Sequence, residues 1–137
     1  MTLFKISAFC SGILIFIFIY SGLQKIIDFE NFTSIISKSP LIPTGISKQI
    51  GFLVIVIEIL IVFLFFIKRF RLTAFLLSFF LLLLFEGYII LMLLYSPYLP
   101  CSCGGFIEQL SWTEHIFFNL ALMVLSITGY LTGNPDK

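Results

Sequence analysis

The chain has 137 residues, of which 60% are hydrophobic and 11% are charged, and phenylalanine occupies 18 positions. A soluble domain of this length could not bury so much apolar surface, so the composition indicates an integral membrane protein. The formal net charge of +1 and the lack of a basic tail give no indication of nucleic-acid binding.

Four apolar runs are each long enough to cross a bilayer, which takes about 20 residues of helix. They cover approximately residues 3–23, 50–67, 72–95 and 112–131. Because the runs are continuous and do not alternate, helices are favoured over barrel strands. We therefore predict an all-α fold, an integral membrane four-helix bundle forming a single transmembrane domain over residues 1–137.

The connection between the first two spans carries an amphipathic pattern. Phe29, Phe32, Ile35 and Ile36 recur at helical spacing, and polar residues occupy the other faces. The pattern predicts a short amphipathic helix that lies on the outer membrane surface. The alternative interpretation is an irregular connector.

Basic residues indicate how the spans are oriented. Lys68, Arg69 and Arg71 lie in the short turn between the second and third spans, whereas the loop between the third and fourth spans has no Lys or Arg. Cytoplasmic loops carry the excess of basic residues in membrane proteins. We therefore predict that both termini are cytoplasmic and that the loop after the third span lies outside the cytoplasm.

Polar residues of the spans concentrate in the predicted outer half, while the inner half is almost purely Leu, Ile, Phe and Val. At ~1.5 Å per residue the deep carboxylates lie about 12–14 Å below the outer ends of their spans. Ionisable residues inside a span are costly and are functional candidates. We predict a polar pocket or proton relay formed by Gln24, Lys25, Glu58, Glu86, His115 and Asn119.

A structural interpretation of the same residues stays open. Polar side chains also hold membrane helices together, at about 0.6 kcal/mol per pair on average. Lys25 could reach inward and form a structural ion pair with Glu58. His115 lies near the predicted interface and could simply face it.

Cys101 and Cys103 are the candidate catalytic residues, one residue apart on the loop between the third and fourth spans. They could alternate between disulfide and dithiol, because strained, exposed disulfides are the labile ones. Thiolates also suit Cu(I) or zinc, with His115 as a third ligand, but the spacing matches no standard zinc motif. A static disulfide is the third interpretation. Cys10 is interpreted as a small apolar residue of the first span.

Several of these residues carry a family resemblance. The segment Tyr20–Asp28, YSGLQKIID, resembles the S-G-x-x-K-x-x-D signature of DoxX-like membrane proteins, and Glu58 sits where that group carries a glutamate. The cysteine loop and the start of the fourth span look like the MauE branch, the methylamine utilisation proteins. The sequence Gly104-Gly105-Phe106 departs from the aromatic-glycine order expected there.

The resemblance implies a bacterial inner-membrane protein that matures the disulfide-rich small subunit of methylamine dehydrogenase, beside thioredoxin-like partners. We interpret the chain as a membrane thiol–disulfide redox component and leave open whether it is an enzyme, a thiol–disulfide oxidoreductase. Cys101 and Cys103 would exchange disulfides with a thioredoxin-like partner or client protein, and a quinone head group is a candidate ligand of the pocket. The alternative is a non-enzymatic assembly factor or accessory subunit with a structural disulfide.

Overall fold

The computed structural model describes residues 2–37, 44–95 and 112–133. Short 3-10 helices, Thr44–Ile46 and Lys68–Phe70, precede the third and fourth α-helices. The α-helices are α1 (Thr2–Ile27), α2 (Phe29–Ser37), α3 (Ser47–Phe66), α4 (Arg71–Tyr95) and α5 (Trp112–Thr132).

Four of these helices, α1, α3, α4 and α5, are long and apolar enough to cross a membrane. Most of their large exposed side chains are Leu, Ile and Phe, which suits contact with lipid tails. The all-α membrane bundle predicted from the sequence is therefore confirmed, and the protein is a multi-pass membrane protein. Two helix ends differ from the prediction. Helix α1 continues one turn further, and α3 begins three residues earlier.

The spans run up and down in chain order and close into a ring, since α5 packs against both α4 and α1. We call the two ends of the bundle the α2 side and the basic side. The α2 side is where α1 and α4 end and where α3 and α5 begin. The basic side holds the start of α1, the turn Lys68–Phe70 and the end of α5.

All four spans meet closely near the basic side. Phe65 of α3 and Phe75 of α4 pack edge to face, with ring centroids 5.0 Å apart. Gly129 of α5 lies against the Phe75 ring, and a Cβ atom there would overlap the ring. Ser7 of α1 donates a hydrogen bond to the Gly129 carbonyl oxygen at 3.1 Å. Glycine at this position therefore allows the close approach of α4 and α5.

The basic half of the bundle is less purely apolar than the sequence suggested, because serines are buried there. Ser11 and Ser78 donate hydrogen bonds to carbonyl oxygens of their own helices, each at 2.8 Å. A short hydroxyl can be buried in this way without a partner from another helix. The buried serines of this half are Ser7, Ser11, Ser78 and Ser126.

Helix α2 is the predicted amphipathic helix, and it packs against α3. Phe32 and Thr33 are buried against Gly51 of α3, whereas Glu30 and Asn31 are exposed. The Thr33 hydroxyl donates to backbone carbonyls of its own helix. The inward face of α2 therefore covers the interior of the bundle at the α2 side.

Candidate functional site

A buried ion pair joins α1 to α3. Lys25 Nζ lies 2.6 Å from Glu58 Oε1, and the two side chains are only 3% and 1% exposed. Ser21 donates a second, longer hydrogen bond to the same oxygen at 3.4 Å. Because Ser21 and Lys25 are four residues apart on α1, they lie on one helix face. The first span therefore presents both donors to the one carboxylate.

Two aromatic rings enclose the ammonium group of this ion pair. Lys25 Nζ lies 4.8 Å from the ring centroid of Phe85 on α4 and 5.6 Å from that of Phe32 on α2. Both distances are within the range of cation–π attraction. The rings also separate the charge from lipid and water. Helices α1 to α4 thus all contribute a side chain to this one position.

Glu58 lies further from the start of its helix than the sequence suggested. Glu58 comes eleven residues after the first residue of α3, Ser47, which is about 16 Å at 1.5 Å per residue. The apolar run alone placed this carboxylate only eight residues below the end of its span. The difference arises because α3 begins within a polar stretch that a hydropathy reading leaves out.

A second polar pair joins α4 to α5. The Asn119 side chain lies near the Glu86 carboxylate, and each residue is 5% exposed. Within the described part of the chain, neither Glu86 Oε2 nor Asn119 Nδ2 completes a hydrogen bond. Since Glu86 directly follows Phe85, whose ring contacts Lys25, the two polar pairs lie at nearly the same depth.

The remaining predicted pocket residues flank these pairs. His115 is buried one helical turn before Asn119 and on the same face of α5. Gln24 is half-buried next to Lys25 at the end of α1. The structure therefore brings together Lys25 with Glu58 and Glu86 with Asn119.

Three members of the ion-pair site were missed by sequence reasoning. Ser21 could have been found, because it lies four residues before Lys25 on the same helix face. Phe32 and Phe85 carry no such signal, since the chain has 18 phenylalanines and most of its spans contain several.

Comparison with known proteins places the chain in a family. The sequence profile described as "Methylamine utilisation protein MauE" matches residues 3–132. The chain belongs to the MauE family. The match covers all four spans of this MauE protein and the residues of both polar pairs. No curated protein and no solved structure matches the chain significantly.

The thiols of this MauE protein fall into two groups. Cys10 is buried at 2% exposure, in the apolar core of the bundle with Leu14 and Phe18. Cys101 and Cys103, the predicted catalytic pair, lie outside the described residues. Among residues 2–37, 44–95 and 112–133, no three His, Cys, Asp or Glu side chains gather closely enough to hold a metal ion.

Proposed function

We propose that this MauE protein is a membrane thiol–disulfide redox component. Cys101 and Cys103 exchange disulfides with a thioredoxin-like protein or a disulfide-rich client. One observation carries the proposal. In the sequence, both thiols lie between the end of α4 and the start of α5, and both of these helix ends are at the α2 side. Both buried polar pairs lie in the spans below that side.

The exchange needs no redox partner beyond two cysteine pairs. A thiolate of one pair attacks a sulfur of the other pair's disulfide and forms a mixed disulfide, releasing the second sulfur of that disulfide as a thiolate. The remaining thiol of the attacking pair, as a thiolate, then attacks its neighbour's sulfur in the mixed disulfide and releases the other protein's cysteine as a thiolate. One pair leaves as a disulfide, and the other gains two electrons and two protons as a dithiol. The start of α5, close along the chain, would stabilise a thiolate through the positive end of its helix dipole.

Continued turnover requires an acceptor or donor of two electrons and two protons. Within a membrane, a quinone head group is the candidate acceptor, because its two carbonyl oxygens accept hydrogen bonds and protons on reduction. Asn119 supplies an amide donor, and Glu86 supplies a carboxyl group that can carry a proton. The Lys25–Glu58 pair is buried and bonded between α1 and α3, and we assign it a positioning role.

We propose the orientation from charge. The turn Lys68–Phe70 and Arg71 carry a local excess of basic residues, which favours the cytoplasmic face of a bacterial inner membrane. In that orientation both termini are cytoplasmic, and the segment with Cys101 and Cys103 meets the oxidising side, where disulfides persist.

A second function is favoured by the enclosure of the ion pair. A carboxylate that is 1% exposed and bonded to both Lys25 and Ser21 is well suited to holding helices together. This arrangement fits a non-enzymatic assembly or maturation factor, in which Cys101 and Cys103 would form a fixed disulfide.

Trapping of a mixed disulfide separates the two functions. Replacing Cys103 with Ser removes the thiol that resolves the intermediate, so the variant should accumulate an adduct through Cys101 that dithiothreitol releases. A Cys101→Ser variant tests the reverse assignment. Cys10→Ser is the matched control and should leave the wild-type pattern unchanged, since Cys10 is buried. Absence of an adduct from both single variants contradicts the redox function and favours the assembly factor.

A further inference from the structure

The basic side of the bundle carries a cluster of cations, and no carboxylate of residues 2–37, 44–95 or 112–133 lies beside it. We define the basic cluster as Lys5, Lys68, Arg69 and Arg71. Among the described residues, every Asp and Glu lies either near the middle of a span or at the α2 side. The cluster is therefore not neutralised by described carboxylates, and an anionic ligand would complement its charge.

Arg71 differs from the other members of the cluster in its surroundings. It is half-buried at the first position of α4, and its guanidinium carbon lies 5.9 Å from the ring centroid of Phe4 on α1. Its Nε atom is buried and has no hydrogen-bond partner among the described residues. By contrast, Arg69 is exposed, and its guanidinium carbon lies 5.8 Å from the Phe70 ring of the same turn.

The length of α4 allows Arg71 to reach the depth of lipid phosphates. Helix α4 has 25 residues, which at ~1.5 Å per residue makes it about 37 Å long. The hydrocarbon core of a bilayer is only about 30 Å thick. The first residue of α4 can therefore lie in the headgroup region, where a phosphate can approach its side chain.

We propose that Arg71 binds the headgroup phosphate of an anionic phospholipid. The planar guanidinium offers paired N–H donors that fit two oxygens of one phosphate, and the Phe4 ring restricts its position. The adjoining cations of the basic cluster favour a lipid with net negative charge. A zwitterionic lipid would place its ammonium group among these cations with no described carboxylate to receive it. This site is independent of the thiol chemistry proposed above.

Native mass spectrometry of the full chain in neutral detergent tests the site. The protein is mixed with phosphatidylglycerol or with phosphatidylcholine of the same acyl chains, and the fraction that retains lipid is measured. Arg71→Gln should retain about tenfold less phosphatidylglycerol than the wild type, the scale of one charge-assisted contact. Lys48→Gln is the control, because it removes one positive charge from an exposed position on the α2 side, outside the basic cluster, and it should retain lipid within about twofold of the wild type.

Two further arms keep the test decisive. Arg71→Lys preserves the charge but loses the planar fork, so it should also retain less lipid, even if Arg71→Gln does not fold. Excess inorganic phosphate should leave the lipid bound, because the free ion lacks the acyl chains that anchor a lipid beside the helix. Equal loss in Lys48→Gln and Arg71→Gln, equal retention of both lipids by the wild type, or displacement by phosphate would each overturn the proposal.

Discussion

Lys25 on α1 and Glu58 on α3 form a salt bridge of 2.6 Å inside the membrane-spanning bundle, where both side chains are almost fully buried. The charges of the pair cancel each other, and Ser21 adds a further hydrogen bond to the carboxylate. Because lipid tails offer no hydrogen bonds, each charge depends on the other. The pair therefore fixes the end of α1 against the middle of α3.

Breaking this pair from one side should cost more stability than removing both charges. Lys25→Met and Glu58→Gln should each destabilise the bundle by about 3–5 kcal/mol, because each leaves a buried charge unpaired. The double variant should recover much of that loss. Unfolding by denaturing detergent, followed by circular dichroism, measures all three variants. Lys48→Met is the control, since Lys48 is exposed on the same helix as Glu58. A double variant that loses the sum of the single effects would contradict the coupling.

The second polar pair should matter more for activity than for stability. Asn119→Leu and Glu86→Leu each remove one inter-helix polar contact, which costs about 0.6 kcal/mol on average in membrane proteins. If the pair forms part of a redox pocket, both variants should slow reoxidation of the Cys101–Cys103 pair well beyond that effect. Unfolding and thiol reoxidation are measured on the same preparations. Normal reoxidation in both variants would leave Glu86 and Asn119 as packing residues only.

Close packing between α4 and α5 should depend on Gly129. A methyl group there would overlap the Phe75 ring, so Gly129→Ala should destabilise the bundle by about 1–3 kcal/mol. Gly87→Ala is the matched control on α4, because a Cβ at that position meets no atom within 4 Å. The control should be neutral or up to about 1 kcal/mol more stable, as alanine favours helices. Equal unfolding midpoints for the two variants would contradict this packing.

The sequence predicts the spans well, because lipid selects for long apolar runs and hydropathy reports that property directly. The run predicted over residues 72–95 is α4, which begins at Arg71 and ends at Tyr95. Helix ends are less predictable where polar residues continue a helix. Helix α1 extends past Lys25 to Ile27, because lysine is a good helix former and is favoured in a last turn, whereas hydropathy alone ends the run before it.

The site could be predicted only in outline. The depth of Glu58 and Glu86 along their runs indicates buried carboxylates in one half of the bundle. The Lys25–Glu58 ion pair is one of the interpretations that the sequence offers, whereas the pairing of Glu86 with Asn119 depends on how the helices rotate about their axes. That rotation follows from close contacts between helices, such as the one between Phe75 of α4 and Gly129 of α5. Such a contact cannot be predicted from the sequence of one span by itself. The enclosure of Lys25 by Phe32 and Phe85 belongs to the same class of long-range information.

Labelling from one side of the membrane tests the proposed orientation. A membrane-impermeant maleimide added to intact spheroplasts should label reduced Cys101 or Cys103, because the proposed orientation exposes them to the outer solution. A variant that keeps Cys10 alone should stay unlabelled, since that thiol is 2% exposed within α1. Labelling of the pair only after the membrane is permeabilised would reverse the orientation.

The redox state of Cys101 and Cys103 in cells tests the proposed function most directly. Cells are reduced briefly with dithiothreitol, the reductant is removed, and free thiols are alkylated at intervals with a large maleimide that shifts the protein on a gel. In a redox component, Cys101 and Cys103 should become oxidised after dithiothreitol is removed and should no longer react with the maleimide. Both thiols should become reactive again whenever the partner or client is present in its reduced form. A fixed structural disulfide should reoxidise once and then stay oxidised whether or not a partner is expressed, and that result would contradict the account.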